Sequence, residues 1–208
     1  MLAELVAELL TRPLPWPIVQ AGDPVLRNPA RPYEGELSAE ALAALVEGMK
    51  VTMHEAPGVG LAAPQIGLPV RIAVAEHRPG ADPSTLRARG MTPLPFRVLV
   101  NPRYTPLGSE RAAFFEGCLS VSGWQAVVSR PLRVRLETQD ETGASVDEEL
   151  AGWPARIVQH ETDHLGGMLY LDRAELRSLS TSAAVVARWS QPTPADAARE
   201  LGFDLTSD

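Results

Sequence analysis

The chain has 208 residues, of which 45% are hydrophobic, and it carries a formal net charge of −7. This length and apolar content predict one globular domain with a sizeable core and exclude a disordered chain. The acidic balance argues against a protein that holds nucleic acid on a basic surface, and it leaves small-molecule and peptide substrates open.

Cysteine usage and the amino terminus indicate the compartment. Cys118 is the sole cysteine, so no disulfide can form within the chain. The start, Met1–Glu4, lacks the basic region of a signal peptide, and no apolar run approaches the length of a membrane span. We therefore expect a cytoplasmic protein with no membrane partner. A lone cysteine there is either an inert buried residue or a metal ligand or nucleophile.

The first quarter of the chain predicts two helices joined by an extended segment. Leu2–Leu10 has helical spacing, and residues 11–32 contain six prolines, which exclude a long helix. One face of the first helix is predicted from the spacing of Leu2, Leu5, Val6 and Leu9. Ser38 is a suitable N-cap for a second helix, Ala39–His54. Its core positions are predicted to be Leu42, Leu45, Val46 and Met49.

A glycine-rich stretch follows, with the sequence Gly58-Val59-Gly60-Leu61-Ala62-Ala63-Pro64-Gln65. The two glycines that flank Val59 allow another backbone to approach closely. The stretch is neither a dinucleotide fingerprint nor a P-loop, so alone it predicts a turn before a strand, Val70–Ala75. Residues 77–95 are rich in proline, glycine and arginine, and we expect a surface insertion that decorates the fold rather than bordering a cleft.

Strands dominate the next part of the chain. The predicted strands are Phe96–Asn101, Glu110–Phe115, Gln125–Ser129, Leu132–Thr138 and Ala144–Leu150. We expect Gln125–Ser129 and Leu132–Thr138 to be antiparallel neighbours with Pro131 between them. Residues 140–143 are expected to form the turn before the last strand.

A helix that begins near Pro154 carries the sequence His160-Glu161-Thr162-Asp163-His164. Residues four apart lie on one helix face, so His160 and His164 can direct two imidazoles at one ion. Glu161 is turned by about 100° from His160 and can lie beside the ion without binding it, as a general base must. The simpler alternative is a helix with two surface histidines and a glutamate.

A catalytic metal site usually has three protein ligands and one open position, so a third ligand must come from elsewhere. Cys118 is the strongest candidate, because a thiolate binds Fe(II), Zn(II) or Co(II) well. Glu116 and Gly117 precede it and would let the backbone turn the thiolate toward the helix.

The remaining segments complete an α+β fold, in which small, mostly antiparallel sheets pack around a central metal-binding helix. Residues 168–171 form a short apolar run that closes the core. The tail, about 174–208, predicts helices at Ala174–Leu179 and from Ala195 to about Leu201. We expect a single catalytic domain over residues 1–208, with an N-terminal wrapping segment at about 1–32.

Three motifs together resemble the peptide deformylase family, in the family's order: Gly58 to Gln65, Glu116-Gly117-Cys118-Leu119-Ser120, and His160 to His164. The resemblance extends from about residue 23 to residue 173. It implies an enzyme that removes the N-formyl group from the initiator methionine of new polypeptides.

Carried over by position, the resemblance implies a role for each motif residue. The implied metal ligands are Cys118, His160 and His164. Glu161 would be the acid and base, while Gln65, by its side-chain amide, and Leu119, by its backbone N–H, would stabilise the oxyanion. The implied substrate-binding residues are Gly58, Val59, Gly60, Glu116 and Gly117. The implied native ion is Fe(II), which Zn(II) or Ni(II) can replace, and the implied partners are N-formylmethionyl nascent peptides and the ribosome near its exit tunnel.

The chain departs from the family's pattern at one position, and two alternative functions stay open. Many bacterial members have an arginine seven residues after the metal-binding cysteine, where this chain has Gln125; Arg130 matches another basic position. His54 and His77 lie in no metal-spaced cluster and are expected to be structural or exposed. A general zinc peptidase would need a downstream third ligand, for which Glu175 is the nearest acid. A non-catalytic peptide-binding relative would be expected to have lost a ligand or the glutamate.

Overall fold

One helix, α4 (Gly152–Leu165), is enclosed by two antiparallel sheets in the computed structural model of the chain. The structure describes residues 2–80 and 82–205. Pro154 lies in the first turn of α4, where its missing N–H has no helical partner to lose. Eleven of the fourteen residues of α4 are buried. Polar groups on this helix must therefore find their partners inside the protein.

The larger sheet has five strands in the order β1-β2-β3-β6-β7, and each neighbouring pair is antiparallel. Its strands are β1 (Gly60–Ala62), β2 (Ile72–His77), β3 (Leu94–Pro106), β6 (Arg133–Gln139) and β7 (Ser145–Ala151). The smaller sheet is antiparallel, with the order β4-β5-β8. Its strands are β4 (Arg111–Cys118), β5 (Val121–Pro131) and β8 (Ala174–Thr181). The predicted α+β class with mostly antiparallel sheets is confirmed.

The β1–β2 part of the larger sheet is buried on both faces, because alternate residues of β2 face different helices, whereas β6 and β7 expose every second residue. Ile72 and Val74 pack in a core with α1 (Leu2–Leu10) and α2 (Ala39–Glu55), whereas Ala73 packs against α4. The four predicted core residues of α2 are buried, and the Ser38 hydroxyl caps that helix by accepting the Ala41 N–H at 3.2 Å. The prediction for Leu5 is wrong. Its side chain is 44% exposed, because only one stripe of α1 reaches α2.

Residues 11–32 contain no long helix, as predicted, and run as irregular backbone with one short 3₁₀ turn, Pro24–Leu26. Backbone hydrogen bonds tie this segment to the centre of the fold. The Val19 N–H donates to the Gln65 carbonyl at 2.8 Å, and the Ala21 N–H donates to the Ser120 carbonyl at 2.7 Å.

Two predictions about strand pairing and the tail are wrong. The strands on either side of Pro131 are not neighbours: β5 pairs with β4 and β8, while β6 pairs with β3 and β7. The segment predicted as a helix at Ala174–Leu179 lies in strand β8, because its backbone pairs with the edge of β5, as in Val127 with Glu175. The hydrogen bonds of this strand pairing outweigh the local preference of the segment for a helix. The tail then forms α5 (Ser182–Arg188), which was not predicted, and α6 (Ala195–Leu201), which was.

The insertion at residues 77–95 contains a short helix, α3 (Pro83–Arg89), capped by Asp82. It packs against the start of α4 rather than only decorating the surface. Gly90 ends α3 with a positive φ of 58° and accepts the Trp153 N–H at 3.1 Å. A side chain at Gly152 would overlap the Gly90 backbone. Within residues 2–80 and 82–205, every helix is too short or too polar to cross a membrane.

Candidate active site

Helix α4 and the end of β4 bring three potential metal ligands together. One ligand atom each from Cys118, His160 and His164 lies within 4.8 Å of the others. The Cys118 Sγ is 3.2 Å from the His164 Nε2, and the two imidazole rings are 5.0 Å apart between centroids. The four-residue spacing on α4 thus directs both rings to one point. In the part of the chain that the structure describes, this is the one group of three or more histidine, cysteine or acidic residues with such spacing.

The other two histidines and the downstream acid of the peptidase alternative lie elsewhere. His54 contacts the Glu76 carboxylate at 2.6 Å, and His77 is buried, which lowers its pKa. Glu175, the downstream acid of the peptidase alternative, lies on β8 opposite Val127. None of the three belongs to the metal-capable group.

The Glu116 carboxylate fixes the orientation of His160. Its Oε2 lies 3.0 Å from the His160 Nδ1, which leaves the Nε2 of that ring for an ion. Burial alone would raise the pKa of Glu116, but the charges of Arg130 and Arg156 and its hydrogen bonds hold that pKa well below its usual value. The carboxylate is therefore ionised, and its contact with His160 orients that ring.

Arg130 and Arg156 compensate the buried charge of Glu116. Arg130 binds Glu116 with two nitrogens, at 2.7 and 3.0 Å, and donates to Asp163 at 2.7 Å. Arg156 donates to Glu116 and, at 3.0 Å, to the Val128 carbonyl. A buried charge is tolerated only when it is paired in this way. Arg156 was not singled out from the sequence, although its spacing of four residues before His160 puts it on the same helix face.

Gln65 is held beside Cys118. Its side-chain oxygen accepts the Ala62 N–H at 2.8 Å, and its Nε2 lies 3.2 Å from the Ser120 hydroxyl and 3.6 Å from the Cys118 Sγ. The amide nitrogen, a donor, therefore faces the ligand group. Leu119 follows Cys118 in the turn between β4 and β5 and lines the same cleft. Ser120 belongs to one of the sequence motifs but was assigned no role from the sequence, and the structure shows its contact with Gln65.

Glu161 lies beside the ligand group without belonging to it. Its side chain is 4% exposed, and Oε2 has no hydrogen-bond partner among the described residues. Burial raises the pKa of Glu161 to about 7, although the charges of His160 and Arg130 oppose that rise. A carboxyl group with a pKa near neutrality can both accept and return a proton.

A cleft of about 580 Å³ opens onto these groups. The predicted substrate-binding residues all line it: Gly58, Val59 and Gly60 on one side, and Glu116 and Gly117 on the other. Gln125, which stands where many family members have arginine, also lines the cleft and donates to the Ser182 hydroxyl at 3.3 Å. Arg89 of the insertion lines it too, so the expectation that the insertion only decorates the surface is wrong.

Comparisons with known proteins agree on one family. A family model described as polypeptide deformylase matches residues 15–179. Peptide deformylase 3 of Streptomyces avermitilis is 65% identical over 205 residues, which cover 98% of this chain and 91% of that protein. Peptide deformylase 1 of Streptomyces coelicolor is 62% identical, covering 98% and 94%. The crystal structure of a Met-Ala-Ser-bound class I type b peptide deformylase from Acinetobacter baumannii matches with a TM-score of 0.69 and 36% identity, covering 76% of this chain and 97% of that one.

Proposed function

The chain belongs to the peptide deformylase family, and from that premise we propose how its cleft removes the N-formyl group from newly made polypeptides. The enzyme is a hydrolase of protein biosynthesis, and the family is metal-dependent. We propose that the metal ligands are Cys118, His160 and His164. The observation that carries the proposal is the position of Glu161, buried beside these three ligands but not among them.

The donor set fits a divalent transition ion. One sulfur and two imidazole nitrogens suit Fe(II), Zn(II) or Ni(II) better than Mg²⁺ or Ca²⁺, which prefer oxygen. Burial lowers the pKa of His164 well below its usual value, which favours the neutral ring that a ligand needs. Burial acts in the same direction on His160, but its hydrogen bonds to Cys118 and Glu116 raise the pKa of that ring well above its usual value, so a bound ion would have to displace its proton. When bound, the ion would supply a Lewis acid that polarises the formyl carbonyl and acidifies water. We propose Fe(II) as the native ion, with Zn(II) or Ni(II) able to replace it.

The residues around the ligands supply proton transfer, oxyanion stabilisation and substrate binding. Glu161 accepts a proton from water and returns it to the leaving amine, for which its raised pKa is suited. The Gln65 Nε2 and the Leu119 backbone N–H donate to the oxyanion that develops on the formyl oxygen. The backbone of Gly58–Gly60 lies against the substrate backbone, where the absence of side chains on two of three residues allows strand-like pairing.

The wider setting follows from the substrate. N-formylmethionyl nascent peptides are produced at the ribosome, so we propose a cytoplasmic enzyme that acts near the exit tunnel, without direct contact with nucleic acid. We further propose one catalytic domain over residues 1–208. Packing of α1 on α2 and pairing of β8 with β5 support the inclusion of both terminal segments.

Three peptides separate this function from its alternatives. Anaerobic protein loaded with Fe(II) or Ni(II) should release formate rapidly from formyl-Met-Ala-Ser. Acetyl-Met-Ala-Ser should react far more slowly, because its extra methyl group adds bulk where the ligands converge. Cleavage of an internal-peptide substrate would instead indicate a peptidase, and tight binding of the formyl peptide without turnover would indicate a non-catalytic relative.

The role of Glu161 is tested in the same assay with the variant Glu161→Gln, which keeps the size of the side chain and removes the base. We expect one ion per chain by elemental analysis and formate release reduced by about 10²-fold or more. Turnover close to that of the unmodified enzyme would contradict the role of Glu161.

A further inference from the structure

Two large apolar side chains are exposed at the mouth of the catalytic cleft. Val59 is 38% exposed and Trp124 is 45% exposed, and both line the cleft that holds Glu161. Val59 lies just before β1, whereas Trp124 lies on β5, so they belong to different walls. An exposed tryptophan within a cleft is a common centre of binding energy, because it offers a large apolar surface at low entropy cost.

A bulge in β5 presents Trp124. Cys118 pairs with Val121 and Gly117 pairs with Gln125, so residues 122–124 have no partner on β4. Bulges of this kind redirect side chains beside active sites. On the opposite edge of β5, the Trp124 backbone pairs with Thr181 on β8.

Further contacts fix the bulge on both sides of Trp124. Gly123 has a φ of 80°, which permits the sharp change of chain direction. The Trp124 carbonyl accepts the Tyr170 hydroxyl at 3.1 Å. The indole is therefore carried by a well-anchored backbone, although the indole itself is exposed.

The uncharged part of the cleft lining consists, besides Trp124, of residues such as Val59, Leu119, Val121, Gly123 and Gln125. Glu55 lines an adjoining pocket that shares Leu119 and Gly123 with the cleft. The buried Glu116 and Arg156 pair with each other. Arg89 lies over the rings of Phe114 and Trp153, at 5.7 and 5.8 Å. Phe114 is three residues before Gly117, or about 10 Å along β4, so this cation is at the far end of the cleft.

From this arrangement we infer that Trp124 is a specificity-determining residue that, with Val59, contacts the side chain at the second or third position of the substrate and favours apolar ones. The inference rests on the proposed function. The formyl end of the peptide must reach Glu161 inside the cleft, so the residues after methionine leave through its mouth. A charged side chain there would lose water against an apolar surface with no ionic partner.

The test compares kcat/KM for formate release from two pairs of peptides. Formyl-Met-Leu-Ser and formyl-Met-Asp-Ser report on the second position, while formyl-Met-Ala-Leu and formyl-Met-Ala-Asp report on the third. We expect the unmodified enzyme to prefer leucine at one of these positions. Trp124→Ala should reduce that preference by about tenfold, mainly by raising KM for the leucine peptide. Trp124→Phe should retain most of the preference.

Two further variants show whether the effect is local. Leu176→Ala removes a side chain that is 65% exposed on β8, outside the cleft lining, and should leave activity and preference unchanged. Val59→Ala should also reduce the preference. In the double variant the two losses should be less than additive, because both side chains contact the same substrate residue.

Two results would overturn the inference. One is a leucine preference in Trp124→Ala equal to that of the unmodified enzyme at both positions. The other is an equal fall in activity on leucine and aspartate peptides, which would indicate a structural role for the indole. Failure of the unmodified, metal-loaded enzyme to release formate from any peptide would instead refute the proposed function, and the inference with it.

Discussion

Replacing Gly60 by alanine should displace Glu161, the proposed general base, and spare the three proposed metal ligands. Gly60 faces Glu161 so closely that a methyl group would overlap the carboxylate, with its carbon 2.7 Å from Cγ and closer still to Cδ and Oε1. Carbon atoms in contact are normally about 3.5–4.0 Å apart. The Glu161 side chain must therefore move by about 1 Å.

The expected loss is one of rate rather than stability. The atoms that must move belong to the end of a flexible side chain, so the fold can accommodate the methyl group by turning Glu161 away. A displacement of about 1 Å at a reacting group can cost about 10²-fold in rate. We expect Gly60→Ala to lower kcat by about 10²-fold and to change KM much less, with one ion per chain.

The kinetic constants are measured by formate release from formyl-Met-Ala-Ser. The metal content is measured by elemental analysis, and the stability by thermal unfolding. Gly80→Ala is the control, because no described atom lies near enough to meet its methyl group. Shortening the base should relieve the overlap, so Glu161→Asp should lower the rate less in the Gly60→Ala background than in the unmodified enzyme. An unchanged kcat in Gly60→Ala would refute the reasoning, as would loss of the ion together with the activity.

Four other predictions concern the ligands, their support and the insertion. Cys118→Ala should lose most bound metal and activity together, and full occupancy by elemental analysis would contradict its assignment as a ligand. Glu116→Gln should weaken metal affinity by about 10–100-fold, measured by competition with a chelator, because His160 loses the carboxylate that orients it. Gln65→Leu should keep the ion and lower kcat by about 10²–10³-fold, because only an oxyanion donor is removed. Hydrogen bonds to Ser84 and Thr85 lower the pKa of Asp82, so its capping of α3 is fully present above the unfolded pKa of about 4 and is lost as the pH falls through the lower folded value. The protection of the α3 amides, measured as the ratio of the intrinsic to the observed exchange rate at each pH, should therefore persist at pH 5 and fall only in stronger acid, whereas in Asp82→Ala it should be low at both.

The family could be identified from the sequence because its chemistry lies in short segments. A helical repeat of 3.6 residues puts His160 and His164 on one face and turns Glu161 aside, whatever the rest of the chain does. The Ser38 cap, the period of α2 and the turn before β7 are equally local, and the structure confirms each of them. In such cases the backbone geometry depends only on residues a few positions apart.

Features that depend on distant residues could not be predicted in this way. Strand patterns identify β5 and β6 but not their partners, because any two antiparallel strands offer the same backbone groups. The segment that became β8 was predicted to be a helix, since its strand form depends on hydrogen bonds from β5, about fifty residues earlier in the chain.

The same limit applies to the site. The sequence by itself identified the residues that are candidates to bind a metal and to move a proton. Only the tertiary structure decided that Arg130 and Arg156 hold Glu116 ionised behind His160, and that a bulge presents Trp124 at the cleft mouth. Charge compensation and exposure are properties of what surrounds a side chain, and residues far apart in the chain supply those surroundings.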